Sequence, residues 1–254
     1  MRRPATDQRP VTPPHALLRG HYAHENERPQ YVRALFDEAA PHYDWINRMM
    51  SLGSGEAYRR LALRRAGLRP GMRLLDIASG TGLVLRPASA IVGPTGLAVG
   101  IDPSLGMLRQ SPAAQPVLLV QARGESLPLV SSAFDFVSLG YGLRHVADLD
   151  ALFHECYRVL RPRGRLLVLE FSRPRSRIGL GLTRFYLKSI VPLVTRLVTR
   201  SPSAEKIMRY CWDTVEHFVP PETVRETELR AGFVDVEQRG ILGALCEFSA
   251  TKPA

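Results

Sequence analysis

A strand-like segment, Arg73–Ala78, runs into Ser79, Gly80, Thr81 and Gly82, and Asp102 stands twenty residues beyond Gly82 at the end of a second such segment. Glycines at a strand end let the backbone approach a bound molecule with no Cβ in the way. A carboxylate at the later position can accept both hydroxyls of a ribose. Asp76, near the end of the first segment, adds a negative charge that would repel a pyrophosphate and attract a cation. A dinucleotide fingerprint would place a third glycine where this chain has Leu85, and Pro87 falls in the first turns of the helix that would cradle phosphate. These residues favour S-adenosylmethionine, which has no phosphate and carries an ammonium and a sulfonium, over NAD. A Gly-rich turn with no ligand is the plain alternative, and the placement of Asp102 weighs against it.

The elements that must position these residues follow from alternating apolar patterns. Strands are expected at Arg73–Ala78, Leu97–Ile101, Val117–Val120, Phe134–Leu139, Arg165–Phe171, Phe233–Glu237 and Ala244–Thr251. Helices are expected from near Gly82, from near Ser104, over Leu149–Leu160 and through most of Ile178–Ala231. Strands alternating with helices imply a doubly wound α/β fold, its mainly parallel seven-stranded sheet closed by an antiparallel C-terminal hairpin. The expected domain plan is a disordered leader over 1–28 and one domain over 29–254. That domain carries a helical cap at 31–68 and a helical lid inserted at 177–220.

The chain of 254 residues is long enough for one sizeable core. No run of 18 apolar residues is present, which argues against a transmembrane helix, and the basic N-terminus has no apolar run behind it, unlike a secretory signal. Cys156, Cys211 and Cys246 are far apart and lack metal-ligand spacing, so no metal site is expected and a reducing compartment fits. The formal charge of +10 is concentrated: between Arg158 and Arg200 there are eleven Lys or Arg residues and one acid, Glu170. Such a segment can meet nucleic acid, anionic lipid or neither.

From Tyr141 to Arg173 the sequence YGLRHVADLDALFHECYRVLRPRGRLLVLEFSR closely resembles the signature of the methyltransferases that C-methylate quinols in ubiquinone and menaquinone biosynthesis. FDEAAPHYDWINRMMSLGSGEAYRR resembles the same family's leading motif, and LLDIASGTG, GIDPS, ESLPL and Ala231–Phe233 follow in family order. The resemblance covers about Tyr31 to Phe233. It implies a class I, Rossmann-like enzyme that uses S-adenosylmethionine, with Thr81 and the glycines lining the methionine end and Asp102 on the ribose. The expected cofactor set is Asp76, Ala78, Gly80, Thr81, Gly82, Asp102, Pro103, Arg123, Gly124, Glu125 and Tyr141. Arg123 and Gly124 stand where the family has Asn-Ala or Asp-Ala beside the adenine. Arginine has no acceptor for the adenine amino group, so backbone groups or Glu125 are expected to take over.

The same resemblance implies that Tyr43, Arg144 and His145 face the methyl acceptor. For a quinol or phenol, losing the hydroxyl proton pushes electron density onto the neighbouring ring carbon, so a base or a phenolate-stabilising charge is useful. Arg144 can stabilise the phenolate, unless it pairs with Asp148 or Asp150. His145 replaces the family's usual Asn, and an unperturbed pKa near ~6.5 would make it a base at neutral pH. Tyr210, Trp212 and Asp213 fall in the family's acceptor-side region, while the ending GILGALCEFSATKP departs from the family's usual one. An O- or N-methyltransferase of a secondary metabolite or phospholipid amine therefore stays open. The partners expected are a small-molecule, lipophilic acceptor and no nucleic acid, with contact to an anionic membrane and a homodimer left open. The expected location is cytoplasmic, with peripheral contact to the inner membrane also open, because Arg177–Arg200 mixes apolar and basic residues.

Overall fold

The computed structural model describes residues 10–111, 117–171, 176–241, 243 and 245–254. Seven strands, β1 (Arg73–Ile77), β2 (Leu97–Asp102), β3 (Val117–Gln121), β4 (Phe134–Gly140), β5 (Leu160–Phe171), β6 (Val234–Ile241) and β7 (Leu245–Thr251), form one sheet in the order β3-β2-β1-β4-β5-β7-β6. The first five are parallel; β7 runs antiparallel to both β5 and β6. Each expected strand is present with its ends moved by a few residues, the largest shift being in β5, which begins at Leu160, five residues before its expected start. Ala244 of the expected last strand lies outside the described residues.

Alternation along the strands divides the core between the two faces. Leu74 joins Leu63, Leu85 and Ala88, from helices α2 (Gly55–Arg65) and α3 (Leu85–Val92). Leu75 and Ile77 join Leu152, Phe153, Cys156 and Val224, from α5 (Leu149–Val159) and α9 (Pro221–Arg230). α3 begins three residues after Gly82 because Gly80 and Gly82 adopt φ of +56° and +85°, outside the helical region, in the preceding turn. Ser104 caps the short α4 (Leu105–Gln110) by accepting from Met107 N at 3.0 Å.

A third apolar cluster lies beyond the carboxyl edge of the sheet. α1 (Arg28–Met50), α7 (Val191–Thr199) and α8 (Pro202–His217) contribute Val32, Leu35, Ile46, Val191, Ile207, Met208 and Tyr210. α6 (Arg177–Phe185) and a π-helical turn over Tyr186–Ile190 complete this lid, and the Tyr186 hydroxyl donates to Met49 O at 3.0 Å, tying it to the end of α1.

The leader departs from expectation. Residues 1–9 lie outside the described residues, but from Pro10 the chain is a packed strap. Leu149 N donates to Thr12 O, Val219 N donates to Pro14 O, and Leu18, Tyr22 and Arg28 are buried. The physical reason is long-range: its apolar groups and carbonyls find partners on α5 and beyond α8, which no local pattern reveals.

Candidate active site

The order of strands reverses at β1, whose neighbours are β2 on one side and β4 on the other. Ligands bind such sheets in the crevice outside the carboxyl ends at this switch point. A pocket there is lined by Ala78 and Gly80 after β1, Asp102, Pro103 and Ser104 after β2, Gly140 and Tyr141 after β4, and Phe36 and Tyr43 from α1. Two non-glycine residues at its floor adopt left-handed backbone, Ala78 at φ +52° and Tyr141 at φ +62°. Such conformations cost about 1–3 kcal/mol each and cluster at functional sites. Gly142 is required beside them, because a Cβ there would stand 2.6 Å from that of Ala78.

Asp102 is buried, and its two oxygens accept from Gly80 N and Ser104 N, each at 2.8 Å. Burial raises its pKa to about 6 against the pull of these two amides. Asp76 accepts from the Ser138 hydroxyl at 2.6 Å through Oδ1, while its buried Oδ2 has no partner. Burial pushes its pKa up to about 7; the Ser138 hydrogen bond opposes the rise and nearby Asp102 adds to it. Two buried carboxyls and a row of backbone groups suit a ligand with hydroxyls and a positive charge and would repel a phosphate. The residues present therefore fit S-adenosylmethionine.

Six members of the expected cofactor set, Asp76, Thr81, Gly82, Arg123, Gly124 and Glu125, stand outside the residues lining this pocket. Arg123 pairs with Glu125 at 3.0 Å, and the same Glu125 oxygen accepts from Ala147 N at 2.7 Å. Glu125 is thus committed to holding the loop after β4 and is a poor candidate for the adenine amino group. Gly124 packs against Leu152 and Ile77, where a Cβ would come within 2.8 Å. Thr81 is buried and donates to Asp44 of α1, which also meets Arg86 at 3.2 Å. With Asp37, which accepts from the Ser104 hydroxyl at 2.6 Å and Gly106 N at 2.7 Å, Asp44 clasps α1 over the glycine turn.

A second, smaller pocket adjoins the first. Tyr43, Asn47 and Met50 of α1, Tyr141, Arg144, Phe171, and Ile207, Met208 and Cys211 of α8 line it. Tyr43 and Tyr141 belong to both pockets and stand at their junction. Burial raises the pKa of each phenol to about 12, so both are neutral hydrogen-bonding groups at physiological pH.

Arg144 is buried and does not pair with Asp148 or Asp150; Thr12 and Arg230 hold those. It pairs with Glu170 at the end of β5, donates to Tyr141 O at 3.0 Å and to the Thr214 hydroxyl at 3.1 Å, and lies 5.2 Å over the Phe171 ring. Glu170, Thr214, Asn47 and Cys211 escaped the sequence reading. Glu170 did carry a signal, as the single acid among eleven cations.

His145 corrects an expectation. Its ring lies edge-on to Phe36 at 5.1 Å and stacked on Tyr210 at 5.4 Å, and both ring nitrogens are buried without partners. Burial, then Arg144, His15 and Arg28, hold its pKa well below 6.5. The imidazole is neutral at physiological pH, and an added proton would face two arginines, so the pKa near ~6.5 expected from the sequence does not hold.

Comparison with known proteins agrees with this geometry. The ubiE/COQ5 methyltransferase family matches residues 24–252. The demethylmenaquinone methyltransferase of Symbiobacterium thermophilum is 35% identical over 237 residues, 89% of this chain and 94% of that protein. The ubiquinone/menaquinone biosynthesis C-methyltransferase UbiE of Pseudomonas aeruginosa is 35% identical, covering 87% of this chain and 88% of that protein. Among solved structures, a SAM-dependent methyltransferase from Thermotoga maritima superposes with a TM-score of 0.61 at 20% identity, over 87% of this chain and 99% of that one. The chain is a member of the ubiE/COQ5 methyltransferase family and an S-adenosylmethionine-dependent methyltransferase.

Proposed function

We propose that the protein C-methylates the ring of a polyprenyl quinol or a related phenol, of the demethylmenaquinol or ubiquinol-precursor class. The observation that carries this reading is the meeting of two pockets at Tyr43 and Tyr141, one lined by Asp102 and glycines suited to the cofactor and one with a buried arginine and apolar walls. When bound, S-adenosylmethionine supplies a methyl on a sulfonium, open to in-line attack. Asp102 holds the ribose, Asp76 faces the ammonium, and Pro103 and Met107 flank the nucleoside. Tyr43 and Tyr141 align the acceptor ring, which is the main contribution a methyl transfer needs. Arg144 favours the phenolate form of the acceptor, its own charge balanced by Glu170. His145, neutral and with both ring nitrogens unpartnered, accepts a hydrogen bond from the acceptor's hydroxyl. Incubation with reduced demethylmenaquinone and methyl-labelled cofactor tests the reading. Label on a ring carbon supports it, and label on oxygen, or transfer only to amines, refutes it.

The acceptor class also accounts for the lid's surface. Ile178, Leu182, Phe185, Leu193 and Leu197 are 58–78% exposed on α6 and α7, and Arg184, Lys188, Arg196 and Arg200 stand exposed among them with no acid on either helix. Apolar residues interspersed with cations suit an anionic bilayer, and the π-helical turn between the helices contacts the α1 end that lines the acceptor pocket. The proposed partner is therefore an anionic membrane. The protein is expected to co-sediment with phosphatidylglycerol vesicles and to lose binding in Leu182→Glu/Leu197→Glu. Unchanged binding in that variant, or a dimer that hides these residues, refutes the assignment.

A further inference from the structure

Arg144 and His145 sit on a single 3₁₀ turn, Leu143–His145, which leads into extended backbone at Val146. Turns of this kind are short and poorly bonded, so their side chains keep their aim only if neighbouring segments fix the backbone. On one side acids do this. Arg144 N donates to Glu170 at 3.3 Å, and Ala147 N donates to Glu125 at 2.7 Å. On the other side stands the strap. Thr12 N donates to Asp148 Oδ1 at 3.1 Å, and Leu149 N donates to Thr12 O at 2.9 Å. His15, buried, lies against the backbone of Arg144 and forms a β-bridge with Phe218, just past α8. The strap before His24 precedes the segment that matches the family, so Thr12 and His15 are additions to the matched core.

Arg28, where the strap enters α1, completes the brace. Its side chain is 1% exposed, and its carboxylate partner Glu25, 2.7 Å away, is half exposed. Nη1 donates to Val146 O at 3.3 Å, Nη2 to His15 O at 3.2 Å and Nε to the Tyr22 hydroxyl at 3.0 Å. Burying a guanidinium this deeply is costly, and an apolar side chain of similar volume would fill the space at lower cost. The donors are therefore what the site uses, because a planar fork can bridge several segments at once. One of those segments is the carbonyl of the residue directly after His145. We infer that Arg28 is a positioning residue for methyl transfer, holding this turn, with Thr12 and His15, so that Arg144 and His145 face the acceptor. Arg28 lines neither pocket and acts through the turn. The inference rests on the acceptor reading of the smaller pocket.

The test separates methyl transfer from cofactor binding and from stability. With reduced demethylmenaquinone and methyl-labelled cofactor, Arg28→Met is expected to lower kcat by roughly 10- to 100-fold, the cost of misplaced reacting groups. Calorimetry should find S-adenosylhomocysteine bound within about 2-fold of wild type. Arg28→Lys, which keeps the charge and loses the fork, should recover part of the lost kcat. If Arg28→Met does not fold, Arg28→Lys decides alone, with kcat below wild type and unchanged cofactor affinity expected. Leu18→Ala is the control for stability. It removes strap packing in the cluster shared with α1 and α8, and should lower the melting temperature while kcat stays within about 2-fold. All assays are run below the melting temperature of every variant. Wild-type kcat in the Arg28 variants, equal loss of cofactor affinity, or an equal fall in kcat for Leu18→Ala would overturn the inference. Failure of the acceptor reading shows separately, as label on oxygen or on amines instead of a ring carbon.

Discussion

Replacing Glu170 by Gln probes the charge arrangement on which the acceptor pocket depends. The Arg144 and Glu170 side chains are 4% and 0% exposed. One Glu170 oxygen accepts from Arg144 Nη1 and from Phe171 N at 2.8 Å, and the other from Arg144 N at 3.3 Å. Gln keeps the size and one acceptor but removes the charge, leaving a buried guanidinium with only Tyr141 O and Thr214 against it. Breaking one side of a buried ion pair costs about 3–5 kcal/mol. In a chain of this length that lowers the melting temperature by roughly 6–20 °C. Arg144→Met should cost a similar amount by orphaning Glu170. The double variant should cost less than the sum by about 2–3 kcal/mol, because neither charge then remains buried alone. Urea unfolding followed by circular dichroism, with the slope checked for constancy, measures all three. Single losses below about 1 kcal/mol, or additivity within about 0.5 kcal/mol, would refute the view that each group is held in place by the other's charge.

Asp102→Asn removes the negative charge from a side chain held by two backbone amides, and S-adenosylhomocysteine should bind roughly 10- to 100-fold more weakly by calorimetry; wild-type affinity would remove Asp102 from the ribose. For His145, a wild-type turnover profile without an inflection near ~6.5 is expected, because burial holds the imidazole neutral throughout. His145→Asn should reduce turnover at every pH without changing the shape of that profile, and full turnover across about pH 6 to 9 would end its role toward the acceptor's hydroxyl. Glu228 of α9 is buried with both oxygens unpartnered, and burial raises its pKa to about 8 against the opposing pull of Arg225. The native state thus holds this proton between about pH 4.5 and 8 while the unfolded chain releases it. Its contribution is present below that window and is lost as pH rises through it, so wild type should lose about 4 kcal/mol relative to Glu228→Gln between about pH 5 and 9. Parallel stability curves for the two proteins would show that Glu228 does not titrate in this way.

Much of the scaffold was legible because its signals are local. The apolar alternation in Arg73–Ile77, Leu97–Asp102 and Phe134–Gly140 reflects strands covered on both faces, and Ser104 ahead of a short apolar repeat is a helix cap. Gly80, Gly82 and Asp102 were readable as a ligand edge because a parallel strand order forces the ends of neighbouring strands together. Their contact, Gly80 N donating to Asp102, spans twenty-two residues but needs only adjacent strands.

What depended on packing across the sheet could not be read locally. The strap from Pro10 to Arg28 looked unstructured because its partners, Leu149, Phe218 and Val219, lie more than a hundred residues away. The acids next to Arg144 in sequence were the one pairing that could be read locally, and it instead met Glu170, because β4 and β5 pair in parallel and bring the loop after one beside the end of the other. The basicity of His145 is likewise an environmental property, set by burial between Phe36 and Tyr210 and by two arginines from distant segments. Residue types and spacing determined that the chain folds as a doubly wound sheet with an acidic, glycine-lined nucleoside edge. Only the tertiary structure decided which charges are neutralised by a partner within the protein and which are buried without one, because desolvation and pairing are set by the whole fold.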